Sequence, residues 1–239
     1  METLKRKRRT KKDIEESINE AAIQLIEEKG FQGITVTAIM QKAKIEPIVF
    51  YNRYSDLNSF MDKFVKKYDY WFSDIAKNIK NIEDIKKQYI SILSNLFDSL
   101  QENDMMQQLL RWELSDDNDI TRRTAGLREF YTLPLVEKYK KIFENSSVEI
   151  DTVSSLIIGG IYYLILHCKM AKFAGIDISS EEGKQKIHKA INFLGDLFFS
   201  KISLASEVIT IAKNMKEKGI CSTMIAECTG LNMDVIEKL

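Results

Sequence analysis

The side chains of this 239-residue chain that can do chemistry gather near its start, and they suit contact with a polyanion better than bond making. Within residues 1–12, Lys5, Arg6, Lys7, Arg8, Arg9, Lys11 and Lys12 are set against Glu2 alone. A second group follows between Thr35 and Arg53. Thr35, Thr37, Lys44, Tyr51 and Arg53 are donors of the kind that meet phosphate. Asn52 has the paired donor and acceptor that match adenine, and Glu46 can accept from cytosine N4. Pro47, Ile48 and Val49 bring apolar surface to the same stretch, and Ile48 and Val49 suit thymine methyl groups.

Little else in the chain points to catalysis. His167 and His188 stand apart, and neither closes a Glu-x-x-His pair of the kind that binds metals in helical bundles. His167 lies in an apolar stretch and reads as a core histidine. The cysteines Cys168, Cys221 and Cys228 form no Cys-x-x-Cys pair and no zinc frame. No phosphate-binding loop or nucleophile elbow appears. No enzyme activity, cofactor or metal is therefore expected.

The elements that must position these residues are helices. The chain is 44% hydrophobic, with only two prolines, Pro47 and Pro134, and ten glycines. Apolar residues recur at helical spacing, and no alternating strand pattern appears. Thr10 and Asp13 form a capping-box variant that opens a first helix, and Ile14, Ile18, Ala21, Ala22, Leu25 and Ile26 line one face of it. Gly30 ends that helix, and Thr35 caps a second. The step Ala43-Lys44-Ile45 is too short for anything but a turn. A third helix then runs from Pro47 to about Tyr54, with Pro47 at its first position. This is helix-turn-helix spacing, in which the second helix of the pair enters the DNA major groove.

The same stretch resembles the DNA-binding domain of the TetR family of bacterial transcriptional regulators. The matching residues are Gly30-Phe31, Ile34-Thr35-Val36, Ile39, Ala43, Ile45 and Phe50-Tyr51-Asn52-Arg53-Tyr54. They cover about the first quarter of the chain. Lys44 departs from the usual turn glycine, Glu46 from the usual Ser or Thr cap, and Leu57 from a common lysine. The resemblance implies an all-α protein: an N-terminal three-helix helix-turn-helix domain followed by a helical bundle for ligand binding and dimerisation. It also implies a double-stranded DNA operator, a small-molecule effector that the sequence does not name, and a homodimer.

Beyond Tyr54 we expect Ser55 to cap a long fourth helix reaching about Ile79. Helices follow over 82–102, 105–114 and 119–145, the last kinked or interrupted at Pro134. Two long helices over 148–174 and 180–203 suit a four-helix dimer interface in a protein of this type. Gly159-Gly160 marks either close helix approach or a local bend. Most of the scattered aromatics Trp71, Phe72, Tyr89, Phe97, Trp112, Tyr131, Tyr162, Tyr163 and Phe173 are expected to pack the core, and some of them to line an apolar cavity.

Residues 205–239 echo the helix-turn-helix. Ile225-Ala226-x-x-Thr229-Gly230-Leu231-x-x-x-x-Ile236 follows Ile39-Met40-x-x-Ala43-Lys44-Ile45-x-x-x-x-Phe50. The segment also looks like the small helical tail behind some transposase-related nuclease domains. Asp234 and Glu237 near its groove-facing side favour a packing appendage over a second DNA reader.

The expected organisation is a basic arm and DNA-binding domain over 1–54, an effector and dimerisation domain over 55–204, and a helical appendage over 205–239. The expected function is sequence-specific transcriptional regulation, as a ligand-responsive repressor. The alternatives are a degenerate member of the same type that acts as a protein-interaction module, and a helical-bundle enzyme. The longest apolar run, Leu156–Leu166, is shorter than the roughly 20 residues of a bilayer span. The basic start lacks the apolar stretch of a signal peptide. No membrane partner is expected, and the odd cysteine count suits a reducing cytoplasm.

Overall fold

A computed structural model describes residues 9–68, 70–72, 75, 79, 82–144 and 146–239, with side chains 203–206 set aside. The helices are α1 Lys11–Lys29, α2 Val36–Ala43, α3 Pro47–Tyr51, α4 Leu57–Val65, α5 Ile85–Glu102, α6 Asp104–Ser115, α7 Asp119–Phe143, α8 Ile150–His167, α9 Glu181–Glu217, α10 Ser222–Thr229 and α11 Met233–Lys238. Among the described residues there is no strand, only a single bridge between Phe173 and Ile176. The protein is all-α, as its apolar periodicity requires.

The chain forms two compact units. The first takes the chain up to Asn78 together with Asn95–Thr132, and the second takes Ile79–Ser94 and Leu133–Leu239. In the first unit, Ile18, Ala22, Leu25 and Ile26 of α1 are buried, as are Ile39, Phe50, Phe60 and Phe64. These residues hold α1 to α4 around one core. Leu96, Phe97 and Leu100 of α5 and Met106, Leu109 and Trp112 of α6 are buried in the same unit. Glu113 and Arg128 form a largely buried ion pair between α6 and α7. Thr124 Oγ1 donates to the same carboxylate at 2.7 Å.

In the second unit, Tyr89, Ile92 and Leu93 of α5, Tyr139 and Phe143 of α7, Ile150, Ile161 and Ile165 of α8, and Ile187 and Ile191 of α9 are buried. Gly195 lets α9 approach α5 closely, since a Cβ there would lie 2.4 Å from Cγ1 of Ile90.

Several helix bounds differ from the sequence reading, each for a local reason. The fourth helix is capped by Asp56, not Ser55, because Asp56 and Ser59 form a capping box. It gives way after Val65 to a 3-10 turn over Lys66–Tyr68, and most of the stretch up to Ile79 lies outside the described residues. Pro134 does not interrupt α7. The hydrogen bond that a proline forgoes is the one to residue i−4. Here that residue is Phe130, which is 63% exposed. The expected 148–174 helix ends at His167; a turn follows over 168–170, and Ala174 and Gly175, both at positive φ, then reverse the chain between Phe173 and Ile176. The last long helix runs past Ser203 to Glu217 without a break, since 204–217 carries neither proline nor glycine.

Among the described residues one helix, α8, is long and apolar enough to cross a membrane by length and composition, and only 22% of it is buried. Leu156 is 72% exposed and Tyr163 50%. They line a groove of about 600 Å³ with Gly159, Gly160 and Phe173. A Cβ on either glycine would meet nothing within 4 Å, so no packing inside this chain requires them.

Candidate nucleic-acid interface

The local chemistry of the helix-turn-helix follows its caps. Asp13 N–H donates to Thr10 Oγ1 at 3.1 Å, and Thr10 N–H donates to Asp13 Oδ2 at 2.8 Å. The Thr10 backbone bond holds the Asp13 carboxyl below its ordinary range. Gly30, at φ 71°, ends α1 and redirects the chain. Thr35 Oγ1 accepts from Ala38 N–H at 3.1 Å and starts α2.

The turn that follows is tight. Lys44 adopts the left-handed conformation, with φ 52° and ψ 54°. A side chain there costs about 1 kcal/mol. Lys44 N–H donates to Gln41 O at 3.2 Å and Ile45 N–H to Met40 O at 3.1 Å, which satisfies two of the free carbonyls of α2. Glu46 sits at the N-cap of α3 without a side-chain cap bond, and Pro47 takes the first turn.

The placement of α3 divides its residues cleanly. Phe50 is fully buried and Tyr54 nearly so, and their rings pack on each other and on Phe60. Ile48 is 68% exposed and Tyr51 53%. Thr35, Thr37, Lys44, Glu46, Pro47 and Asn52 are also exposed, while Val49 and Arg53 are half-buried. The helix stops at Tyr51, earlier than the sequence reading, and Asn52 is its C-cap. Tyr54 and Arg53 donate their N–H groups back to Phe50 O, which closes the helix.

Two arginines are tied into the scaffold. Arg53 Nη1 donates to Val49 O at 2.7 Å. Arg9 Nη1 donates to Ala43 O at 3.0 Å, so the end of the basic arm is fastened to the carboxyl end of α2. A cation there also meets the negative end of the helix dipole. Charge alone marks Arg9 in the sequence, and no pattern discloses its carbonyl partner. Lys5, Arg6, Lys7 and Arg8 lie outside the described residues.

The sequence reading missed the residues that brace this head. Phe31 stacks flat on Trp112 of α6, with ring centroids 4.7 Å apart. Gln32 Nε2 donates to Ser115 Oγ at 3.2 Å. Lys63 of α4 pairs with Glu15 of α1 at 2.9 Å. That pairing, with its hydrogen bond, holds the Glu15 carboxyl low and the Lys63 ammonium high. Among the described residues, no group of three His, Cys, Asp or Glu side chains is placed to hold a metal ion. His167 stacks on the exposed Tyr163 at 5.2 Å, but it is half-buried and, among the described residues, its Nδ1 finds no hydrogen-bond partner, so it is not the satisfied core histidine that the sequence suggests.

The fold assembled in this way is that of the TetR family transcription regulators. A TetR family transcription regulator from Marinobacter aquaeolei VT8 superposes with a TM-score of 0.53 at 18% identity, over 75% of this chain and 95% of its own. A putative TetR family regulator from Vibrio parahaemolyticus gives 0.48 at 17% identity, over 74% and 97%. A TetR family member from Streptomyces coelicolor A3 gives 0.48 at 14% identity, over 74% and 88%. No protein-family model matches the sequence, and no curated protein matches it. At this identity the likeness is one of fold.

Proposed function

We propose that this chain is a sequence-specific DNA-binding transcriptional regulator that works as a homodimer. The observation that carries this reading is the division of α3. Phe50 anchors it in the core, while Ile48, Tyr51 and Asn52 stand clear of the protein. A helix held in this way can enter a major groove without unfolding anything. Thr35, Thr37, Lys44 and Tyr51 surround it with phosphate donors, and Lys5, Arg6, Lys7 and Arg8 supply further charge. Asn52 reads adenine, Glu46 reads cytosine, and Pro47, Ile48 and Val49 supply apolar contact.

The dimer is proposed to form through α8 and α9. Leu156 and Tyr163 of α8 and Phe193 and Leu197 of α9 are exposed large apolar side chains that a second copy would cover. In this reading the second copy covers α8, in place of lipid. The regulator is a cytoplasmic repressor released by a small apolar or amphipathic ligand. The ligand favours a conformer whose two heads are wrongly spaced for DNA.

The test is a mobility-shift assay with genomic fragments over a range of salt. Specific binding that weakens steeply with salt is expected. Absence of any shift at low salt would overturn the reading. It would favour the second one, a protein-interaction module of the same fold, to which the apolar Ile48 lends some support.

A further inference from the structure

The C-terminal segment repeats the N-terminal head position by position, at one constant offset. Ala212 on α9 is buried where Ile26 is buried on α1. Cys221 stands at the N-cap of α10 where Thr35 caps α2. Ile225 and Ile39 are both fully buried. Gly230, at φ 70°, takes the left-handed place of Lys44. Asn232 and Glu46 are the N-caps of the short helices that follow, with nearly the same extended backbone. Ile236 and Phe50 are the buried anchors.

The segment is therefore more than a packing strip. Ala212, Ile225 and Ile236 form a core of their own, joined by Met215, Ile220, Ala226, Leu231 and Leu239. Lys216 Nζ donates to Ile236 O at 2.9 Å and Glu237 O at 3.2 Å, which ties the end of α11 to α9.

The exposed faces of the two heads differ in chemistry. Where the N-terminal head presents Ile48 and Tyr51, this one presents Asp234 and Glu237. Met233 is 40% exposed, Val235 37% and Met224 of α10 53%. Glu227 adds a third exposed carboxylate. Of the nearby cations, Lys213 lies near the end of α9 and Lys218 just past it, while Lys238 closes α11 one turn after Asp234, so three exposed carboxylates on α10 and α11 are set against one lysine there. Carboxylates on the reading helix repel phosphate, so this face does not suit DNA. Methionines flanked by carboxylates suit a different occupant. Flexible thioether side chains mould to an apolar helix face, and the carboxylates meet cations beside it.

We propose that the C-terminal head is a protein-docking module that takes a basic amphipathic helix of a partner protein, independently of what the N-terminal head binds. The test uses the full-length chain and three probes. One is a leucine–lysine peptide of about eighteen residues, five helical turns. The others are its leucine–glutamate twin and a DNA duplex. Hydrogen exchange locates each probe.

The leucine–lysine peptide is expected to slow exchange over residues 222–238, and the twin to leave it unchanged. Asp234→Lys with Glu237→Lys, and separately Met224→Ser with Met233→Ser, should each weaken the peptide about tenfold or more, roughly 1.4 kcal/mol. Slow exchange at Ile225 and Ile236 in the free variants shows that the head still folds. If the serine variant loses that protection, the charge-reversal variant decides alone. Peptide protection absent from 222–238, equal protection by the twin, or protection there by DNA would each overturn the proposal.

Discussion

Phe31 lies face to face with Trp112, their ring planes 2° apart, so the break after α1 is pinned to α6 by one aromatic stack. The pair belongs to the core that holds the reading head, yet neither side chain is among the proposed DNA contacts. Trp112→Ala should cost about 3–5 kcal/mol, the usual loss for a buried large aromatic. Urea unfolding measures it. DNA affinity should fall with the lost order, while the base preferences of whatever binding remains stay those of the parent. A changed preference would mean that Trp112 acts on the reading face itself.

Asn52 and Tyr51 should separate sequence reading from phosphate binding. Asn52→Ala is expected to cost about 1–3 kcal/mol on the true operator and to relax preference at one base pair per half-site. Tyr51→Phe should weaken all sequences about equally. Half-sites should lie about 34 Å, one helical turn, apart. A binding-site selection decides: if Asn52→Ala keeps the parent's preferences, discrimination rests on Ile48, Val49 and DNA shape.

Removing residues 1–9 should lower affinity for every sequence and flatten the salt dependence, as loss of phosphate contacts does. It also removes the Arg9 bond to Ala43 O. Arg9→Ala alone is expected to loosen the end of α2 and leave the salt slope nearly unchanged. An unchanged slope in the full truncation would show that the arm does not touch DNA.

The exposed face of α8 predicts a dimer that buries more than about 1,000 Å² in total. Leu156→Glu places a charge where Leu156 is 72% exposed, so the isolated fold should tolerate it. Sedimentation at micromolar concentration should then find monomers in place of dimers. A parent chain that is already monomeric under those conditions would remove the dimer from the reading.

Tyr139 predicts an alkaline limit to stability. Its hydroxyl is buried and, among the described residues, has no hydrogen-bond partner. Burial, with Tyr89 as a lesser cause, raises its pKa far above the ordinary value for tyrosine. The folded state therefore keeps the proton. Its stability is intact below the unfolded pKa of about 10 and falls above it, where the unfolded chain ionises and the folded one does not. Tyr139→Phe should flatten that fall. It should also stabilise the protein by about 1 kcal/mol near neutrality, because it removes an unpaired buried hydroxyl. Denaturant midpoints at pH 7 and above pH 10 check both effects.

Much of the fold was legible in the residues themselves. Thr10 with Asp13, Gly30, Thr35 and Pro47 declare where helices start and stop, because capping is a matter of a few neighbouring backbone groups. The period of Ile18, Ala22, Leu25 and Ile26 declares which face of α1 is buried. The repeat of Ile39 and Phe50 in Ile225 and Ile236 was visible as spacing. What tertiary structure decided was every relation between distant segments. Phe31 on Trp112, Glu113 with Arg128 and Arg9 on Ala43 O each join residues with no shared local pattern. The early end of α3 placed Asn52 on a cap, and the Asp56–Ser59 box overruled Ser55, since neighbouring polar residues compete for the same backbone donors. The sequence alone could not tell whether its last residues would lie against the body or close on themselves, because both bury the same isoleucines. Packing around Ala212 settled it, giving the tail a core of its own and leaving its methionines and carboxylates in solvent.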